Sequence, residues 1–128
     1  SKNSMFNTPP VFPIYVSMLT LQWLKDLGGI KTIEKNNQEK AELLYKEIDR
    51  NPLFEGTASR VDRSNMNVCF LLTDNKKEKI FNKLCKEAGI NGIKGHRSVG
   101  GYRASIYNAM PIESIHILVD IMKKLNQN

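Results

Sequence analysis

The stretch MNVCFLLTDNKKEKIFNKLCKEAG, residues 66–89, decides the fold. Its first part, residues 67–72, contains a continuous apolar run that predicts a buried β-strand. Asp74 or Asn75 can then cap a helix that runs to about Ala88, and the glycine after it is a typical helix stop. A buried strand followed by an amphipathic helix predicts a sheet with a helix packed on it. The residues expected to face inward from this helix are Ile80, Phe81, Leu84 and Cys85.

Two helices are predicted before this stretch. The three prolines within residues 1–13 predict an extended segment, after which a helix starts near Ile14 or slightly earlier and stops at Gly28. A second, long amphipathic helix runs from Ile30 and ends before Asn51. The apolar stripes are Val16, Leu19, Trp23 and Leu27 on the first helix and Ile33, Asn37, Ala41, Leu44 and Ile48 on the second. The charged residues expected on solvated faces of the second are Lys31, Glu34, Lys35, Glu39, Lys40, Glu42, Lys46 and Glu47.

Three more strands and a last helix complete the predicted elements. The strands are expected near residues 54–59, 90–94 and 102–107. In the last strand, alternation places one set of side chains on each face. Pro111 opens the final helix. The side chains expected on one face of the last strand are Arg103, Ser105 and Tyr107, with Ala104 and Ile106 on the other. The apolar stripe of the final helix is Ile112, Ile115, Val119 and Met122.

The predicted order of elements is ααββαββα. Strands and helices in this arrangement indicate an α+β fold with a largely antiparallel sheet covered by helices. We expect residues 1–13 to form an extended N-terminal segment and residues 14–128 to form one small domain.

Composition limits the classes of function. The chain has 128 residues, 41% hydrophobic content and a formal charge of +6, and its pI is near 9.4. This charge favours an anionic partner, which could be nucleic acid, a membrane surface or a phosphorylated small molecule. The longest apolar stretch is too short and polar to span a bilayer, and no secretory signal is recognisable. The two cysteines are expected to be reduced and buried, and the protein to be soluble and cytoplasmic.

The segment KGHRSVGGYR, residues 94–103, is the strongest candidate for a functional site. It contains two arginines, a lysine, a histidine and three glycines. Glycines allow backbone N–H groups to approach a ligand, and guanidinium groups bind carboxylate or phosphate through paired hydrogen bonds. The segment therefore predicts a site for a small dianion, with a solvated basic loop as the alternative. A nucleotide-binding P-loop is excluded, because Gly101 and Tyr102 follow where Lys and Ser or Thr are required.

Other classes of site find little support. Carboxylates are scattered along helices, no metal-ligand cluster occurs, and neither cysteine has the partners of a nucleophile. His116 is expected at the surface, and Trp23 in the core or an interface. The main rival function is a nucleic-acid-binding module, in which Tyr102 and Tyr107 would stack on bases beside the basic loop.

Four segments resemble the phosphoserine aminotransferase family. They are FNTPP at residues 6–10, the helix end at residues 23–29, RSNMNV at residues 63–68, and GHRSVGGYRASIYNAMP at residues 95–111. The resemblance runs in order over nearly the whole chain, but it covers only the C-terminal third or so of that family's polypeptide. It implies the C-terminal domain of a fold-type I enzyme, with a large N-terminal domain outside this sequence. The segment at residues 63–68 is interpreted as leading into a core strand.

The resemblance also implies a reaction and roles for five residues. Family members are dimers that use pyridoxal phosphate to exchange an amino group between glutamate and 3-phosphohydroxypyruvate in serine biosynthesis, giving phosphoserine and 2-oxoglutarate. It implies that His96 and Arg97 bind the substrate phosphate or the distal carboxylate of glutamate. Arg103 would bind the α-carboxylate, and Asn7 and Thr8 would reach the cofactor phosphate of the other subunit. The lysine that holds the cofactor has no counterpart here, so this chain alone is expected to be inactive.

Overall fold

The structure is a computed structural model that describes residues 2–3 and 5–127. The chain divides into two compact units, Ser1–Glu34 and Lys35–Asn128. Among the described residues, no helix is both long enough and apolar enough to cross a membrane.

The first unit contains helix α1, Val11–Asp26. The helix begins at Val11, so it includes the last three residues of the predicted extended segment. Pro13 is tolerated there because it lies in the first turn, where backbone N–H groups have no hydrogen-bond partner within the helix. Gly28 follows the C-cap with a φ of 100° and provides the predicted stop. None of the residues of α1 is buried, and Trp23 is 39% exposed, so Trp23 is not in a core of this chain and its predicted place in an interface stays a prediction.

Helix α2, Gly29–Arg50, continues into the second unit and ends one residue before Asn51, as predicted. Its apolar stripe is buried from Ile33 to Ile48. Two charged residues placed by the sequence on solvated faces are in fact buried: Lys40 is 2% exposed and Glu47 is 3% exposed. Both follow the helical spacing of the stripe. Lys40 donates to three backbone carbonyls, and Glu47 forms an ion pair with Arg50 and accepts a hydrogen bond from Asn51.

The sheet has three antiparallel strands in the order β1–β2–β3. Strand β1 is Phe54–Gly56, β2 is Asn67–Leu72 and β3 is Tyr102–Ser105. In the register, Phe54 is opposite Leu72, and Cys69 is opposite Arg103. The prediction of a strand at residues 90–94 is wrong: this segment forms only a single bridge, between Lys94 and Tyr102. The glycine at position 92 has a φ of 68°, which a regular strand does not accommodate.

Two further helices complete the second unit. Asp74 accepts a hydrogen bond from the backbone N of Lys76 and caps a short 3₁₀ turn, after which helix α3 spans Glu78–Glu87. Ile80 is 49% exposed, contrary to prediction, because the buried face of the helix centres on Phe81 and Cys85 and Ile80 lies at its edge. Helix α4 spans Ile112–Gln127. Its buried residues are Ile115, Leu118, Val119, Ile121, Met122 and Leu125.

The helices of the second unit cover one face of the sheet. Phe70 and Phe81 are fully buried and pack edge to face at a centroid distance of 6.4 Å. The other face of the sheet is open, so β2 is not buried throughout as predicted: Leu71 is 38% exposed and Cys69 is partly exposed. This one-sided cover agrees with the predicted α+β fold and leaves a sheet face available for binding.

Candidate anion-binding site

The glycine-rich segment forms a closed loop directly before β3. The backbone N of Gly95 donates to the carbonyl of Gly101 at 2.9 Å, and the backbone N of Gly100 donates to the carbonyl of His96 at 2.8 Å. Gly100 and Gly101 have φ values of 76° and 65°, a region that favours glycine. These two bonds fix the ends of the loop and turn residues 96–99 outward.

Gly95 allows the two sides of the loop to approach. A Cβ at this position would lie 2.1 Å from the carbonyl oxygen of Gly100. This contact is too short for any side chain, so a larger residue would force the loop open. Gly101 is confined in the same way, because a Cβ there would be 2.6 Å from the Leu71 side chain and 2.9 Å from the carbonyl of Phe70. The spacing of the glycines therefore serves the closure of the loop as well as any contact with a ligand.

His96 is oriented within the loop by Ser98. Its Nδ1 lies 2.7 Å from the Oγ of Ser98 and accepts a hydrogen bond from the backbone N of Ser98 at 3.3 Å. Because Nδ1 acts as an acceptor, the neutral ring carries its proton on Nε2. This leaves an N–H donor on an exposed ring, which can donate to an anion.

The two predicted arginines are both exposed. Arg97 lies at the tip of the loop, and Arg103 lies in β3, where its backbone N donates to the carbonyl of Ile93 at 2.7 Å. Within residues 2–3 and 5–127, neither guanidinium takes part in a salt bridge. Two free guanidinium groups in adjoining segments can bind a dianion at one group and a second anionic group at the other.

The open face of the sheet adds polar groups beside Arg103. The Oδ1 of Asn67 accepts hydrogen bonds at 3.3 Å from both the Oγ of Ser105 and the OH of Tyr107. These bonds place Ser105 and Tyr107 on one face, and the pairing of Arg103 with Cys69, two residues after Asn67, confirms that Arg103 shares it. Tyr102 lies on the covered face, 6% exposed and stacked on Phe70, and burial raises its pKa to about 12. Tyr102 and Tyr107 therefore lie on different faces and cannot stack together on bases, as the nucleic-acid-binding interpretation requires.

Asn7 and Thr8 lie in the other compact unit, in the segment before α1. Both side chains are exposed, and no side-chain hydrogen bond engages either of them within the described part of the chain. An amide and a hydroxyl in this state are neutral donors that fit a phosphate group. No group of residues able to hold a metal ion is found among the described residues.

Sequence reasoning missed three residues that make hydrogen bonds in or near the site. Ser98 lies in hydrogen-bond contact with His96, and Asn67 accepts hydrogen bonds from Ser105 and Tyr107 on the open face. Lys40 donates to the carbonyl of Tyr107 in the turn after β3. Lys40 could have been recognised by its position, because it follows Asn37 by three residues on the buried stripe of α2. Ser98 and Asn67 gave no signal of their own, since their roles depend on contacts that only folding creates.

Comparison with known proteins identifies the class of protein. The Aminotransferase class-V family matches residues 1–118. The chain therefore belongs to the class-V aminotransferase family.

Individual relatives give a more particular likeness. The chain is 65% identical over 122 residues to a phosphoserine aminotransferase of Flavobacterium psychrophilum, which covers 95% of this chain and 34% of the relative. It is 55% identical over 125 residues to that of Porphyromonas gingivalis, covering 96% of this chain and 35% of the relative. The chain thus spans about a third of the length of the curated relatives it matches.

Solved structures show the same fold. A phosphoserine aminotransferase from Bacillus circulans subsp. alkalophilus matches with a TM-score of 0.89 and 43% identity, covering 98% of this chain and 35% of that one. A PLP-bound phosphoserine aminotransferase from Trichomonas vaginalis matches with a TM-score of 0.84 and 38% identity, covering 95% and 35%. The fold of this chain is therefore that of a part of phosphoserine aminotransferase.

Proposed function

We propose that this chain is the C-terminal, substrate-binding part of a phosphoserine aminotransferase. The whole enzyme would exchange an amino group between glutamate and 3-phosphohydroxypyruvate, giving phosphoserine and 2-oxoglutarate. The observation that carries the proposal is the closed loop at residues 95–101, which presents His96 and Arg97 without ion-pair partners in the described residues and leads directly into Arg103.

Each of these side chains has a role in binding. The Nε2 of His96 and the guanidinium of Arg97 would bind the phosphate of one substrate or the distal carboxylate of the other. Arg103 would bind the α-carboxylate, which both substrates share. Two anionic contacts at separate points fix the orientation of a small substrate, and orientation is a major source of catalytic rate.

The cofactor of the whole enzyme would be pyridoxal phosphate, which supplies the electron sink for the exchange of the amino group. Asn7 and Thr8 would donate hydrogen bonds to its phosphate across a dimer interface. The large N-terminal domain and a second subunit are therefore the partners of this chain, and the chain alone is expected to be inactive. A cytoplasmic location goes with this proposal, because both cysteines are free thiols.

The proposal is tested by an NMR titration of the chain with O-phosphoserine. We expect shifts confined to the amides of residues 95–101 and to the side chains of Arg97 and Arg103. The Arg103→Ala variant should lose them, while Arg60→Ala should keep them, because Arg60 is an exposed arginine in a different turn, where it pairs with Asp49.

Two results would contradict the proposal. Shifts spread over the exposed lysines, unchanged by Arg103→Ala, would mean that phosphoserine binds only through net charge. Tighter, length-dependent binding of an RNA oligomer at the same loop would favour recognition of nucleic acid instead.

A further inference from the structure

Lys40 is a charged residue in the core of the second unit. It lies on α2 and is 2% exposed. Within residues 2–3 and 5–127, no salt bridge joins its ammonium group to a carboxylate. A buried ammonium group without a carboxylate is costly, so its presence calls for a structural or functional reason.

Three backbone carbonyls surround the ammonium group. The Nζ of Lys40 donates to the carbonyl of Tyr107 at 2.7 Å, to that of Met110 at 3.1 Å and to that of Ile106 at 3.3 Å. An ammonium group has three donors, so all of its donors are used. Burial lowers the pKa of Lys40 from its ordinary value of 10.5.

The three carbonyls belong to one turn, residues 106–110, which joins β3 to α4. The backbone N of Met110 donates to the carbonyl of Tyr107 at 2.9 Å and closes the turn. One helical turn before Lys40, the Nδ2 of Asn37 donates to the Oδ1 of Asn108 at 2.7 Å. Helix α2 therefore holds this turn at two points.

The turn fixes the end of the strand that carries Arg103. Strand β3 has only four residues and lies at the edge of the sheet. On its outer side it is held by the bond from Arg103 to Ile93 and by the bridge at Tyr102. Beyond the strand, Lys40 makes its shortest contact with Tyr107, whose OH reaches the open face.

We propose that Lys40 is a positioning residue for the anion-binding site: by holding the turn at residues 106–110, it fixes Arg103 and Tyr107 on the open face of the sheet. This inference rests on the proposed function, because it gives Arg103 the role of an anion ligand. A lysine that served only stability would support the whole second unit equally, whereas a positioning lysine affects β3 and its turn most.

The first measurement is amide hydrogen exchange of the 128-residue chain, followed by NMR. The variant Lys40→Met removes all three donors and leaves an unbranched side chain one atom shorter, and the control Lys46→Met changes an exposed lysine of the same helix. In Lys40→Met we expect the amides of Arg103, Ile106 and Met110 to exchange on the order of tenfold faster. The amide of Thr73, which donates to the carbonyl of Leu53 beside β1, should not change.

The second measurement is the dissociation constant for O-phosphoserine. We expect Lys40→Met to weaken binding on the order of tenfold, because a small displacement of a charged ligand group has effects of this size. The variant Lys40→Arg keeps the positive charge and supplies N–H donors from a larger, planar group, so it should recover part of this affinity. Lys46→Met should bind as the wild-type chain does. If Lys40→Met does not fold, the same two results are expected of Lys40→Gln, which keeps one donating group.

Three outcomes would overturn the proposal. These are unchanged exchange near β3, exchange that accelerates equally throughout the second unit, and normal phosphoserine affinity in a folded Lys40→Met variant. Failure of the wild-type chain to bind phosphoserine is a different result. It would count against the proposed function, and the positioning role would then be decided by the exchange pattern alone.

Discussion

Arg103 lies directly opposite Cys69 in the antiparallel pairing of β3 with β2, on the sheet face that the helices leave open. Side chains in such a cross-strand pair are close enough to interact. A carboxylate introduced at position 69 would therefore compete with a bound anion for the guanidinium group. We expect Cys69→Glu to weaken phosphoserine binding by roughly tenfold. The measurement is an NMR or calorimetric titration.

The control for this substitution is Cys69→Gln, which has nearly the same size but no charge. It should bind phosphoserine almost as the wild-type chain does. Equal losses in the two variants would show that position 69 tolerates no larger side chain, and that competition for Arg103 is not the cause.

The loop closed by Gly95 should be sensitive to a single methyl group. In Gly95→Ala, the new Cβ would meet the carbonyl oxygen of Gly100, so the bond from residue 95 to Gly101 must open. We expect large amide shifts throughout residues 95–103 and loss of phosphoserine binding. The control Gly89→Ala meets no atom within 4 Å and costs only left-handed strain, about 1 kcal/mol. A Gly95→Ala variant with normal binding would contradict this role of the glycine.

The ion pair between Asp49 and Arg63 should make stability depend on pH. The Arg63 side chain donates to both carboxylate oxygens of Asp49, at 2.6 and 2.9 Å, and holds the pKa of Asp49 below its ordinary value of 3.8. A carboxyl group whose pKa is lowered by folding stabilises the folded state at pH values above its pKa in the unfolded chain. This stabilisation is lost as the pH falls through the pKa of the folded state. We expect Asp49→Asn to cost about 1 kcal/mol near neutral pH and almost nothing at about pH 2.

Urea denaturation of both chains at the two pH values measures this difference. The comparison variant is Glu39→Gln, which breaks the exposed pair with Lys35, whose atoms are 3.8 Å apart. It should leave the free energy of unfolding nearly unchanged, because exposed pairs contribute little. An Asp49→Asn penalty that stays constant down to acidic pH would rule out the ion pair as its source.

The two thiols should differ in reactivity. Cys85 is 2% exposed, and burial raises its pKa to about 11, whereas Cys69 is partly exposed on the open face. Because the thiolate is the reactive form, iodoacetamide should modify Cys69 first at neutral pH, and Cys85 only after unfolding. Mass spectrometry of the modified peptides gives the order. Faster modification of Cys85 in the folded chain would contradict the position of α3.

Helix α1 should cause the isolated chain to self-associate. It has no buried residue, and its sequence is apolar on all sides, a pattern typical of helices that are enclosed by other structure. Phe12 and Leu21 are 76% and 65% exposed. We expect the double variant Phe12→Gln, Leu21→Gln to lower the apparent mass in analytical ultracentrifugation. The double variant Lys46→Gln, Lys83→Gln on α2 and α3 is the control and should not lower it.

Most helices and the central strand could be predicted from the sequence. The periodic apolar stripes and the glycine or proline stops predicted α1, α2 and α4 within a few residues, and the apolar run predicted β2 at its observed bounds. These signals are local, since the helical periodicity relates residues three or four positions apart and the apolar run lies within a single strand. The prediction of a strand at residues 90–94 was wrong, because pairing with a neighbouring strand decides whether a segment becomes a strand, and local composition does not.

Sequence alone determined the residue types of the candidate site and their order in the chain. The charge of residues 94–103 indicated an anion, and the resemblance extended this to His96, Arg97 and Arg103 as substrate ligands, roles that remain a proposal. The tertiary structure alone decided that Arg103 lies on an open sheet face and that the charge of Lys40 is buried against a turn about 70 residues away in sequence. Local patterns carry periodicity and charge, whereas burial and pairing depend on contacts between distant segments, which form only when the chain folds.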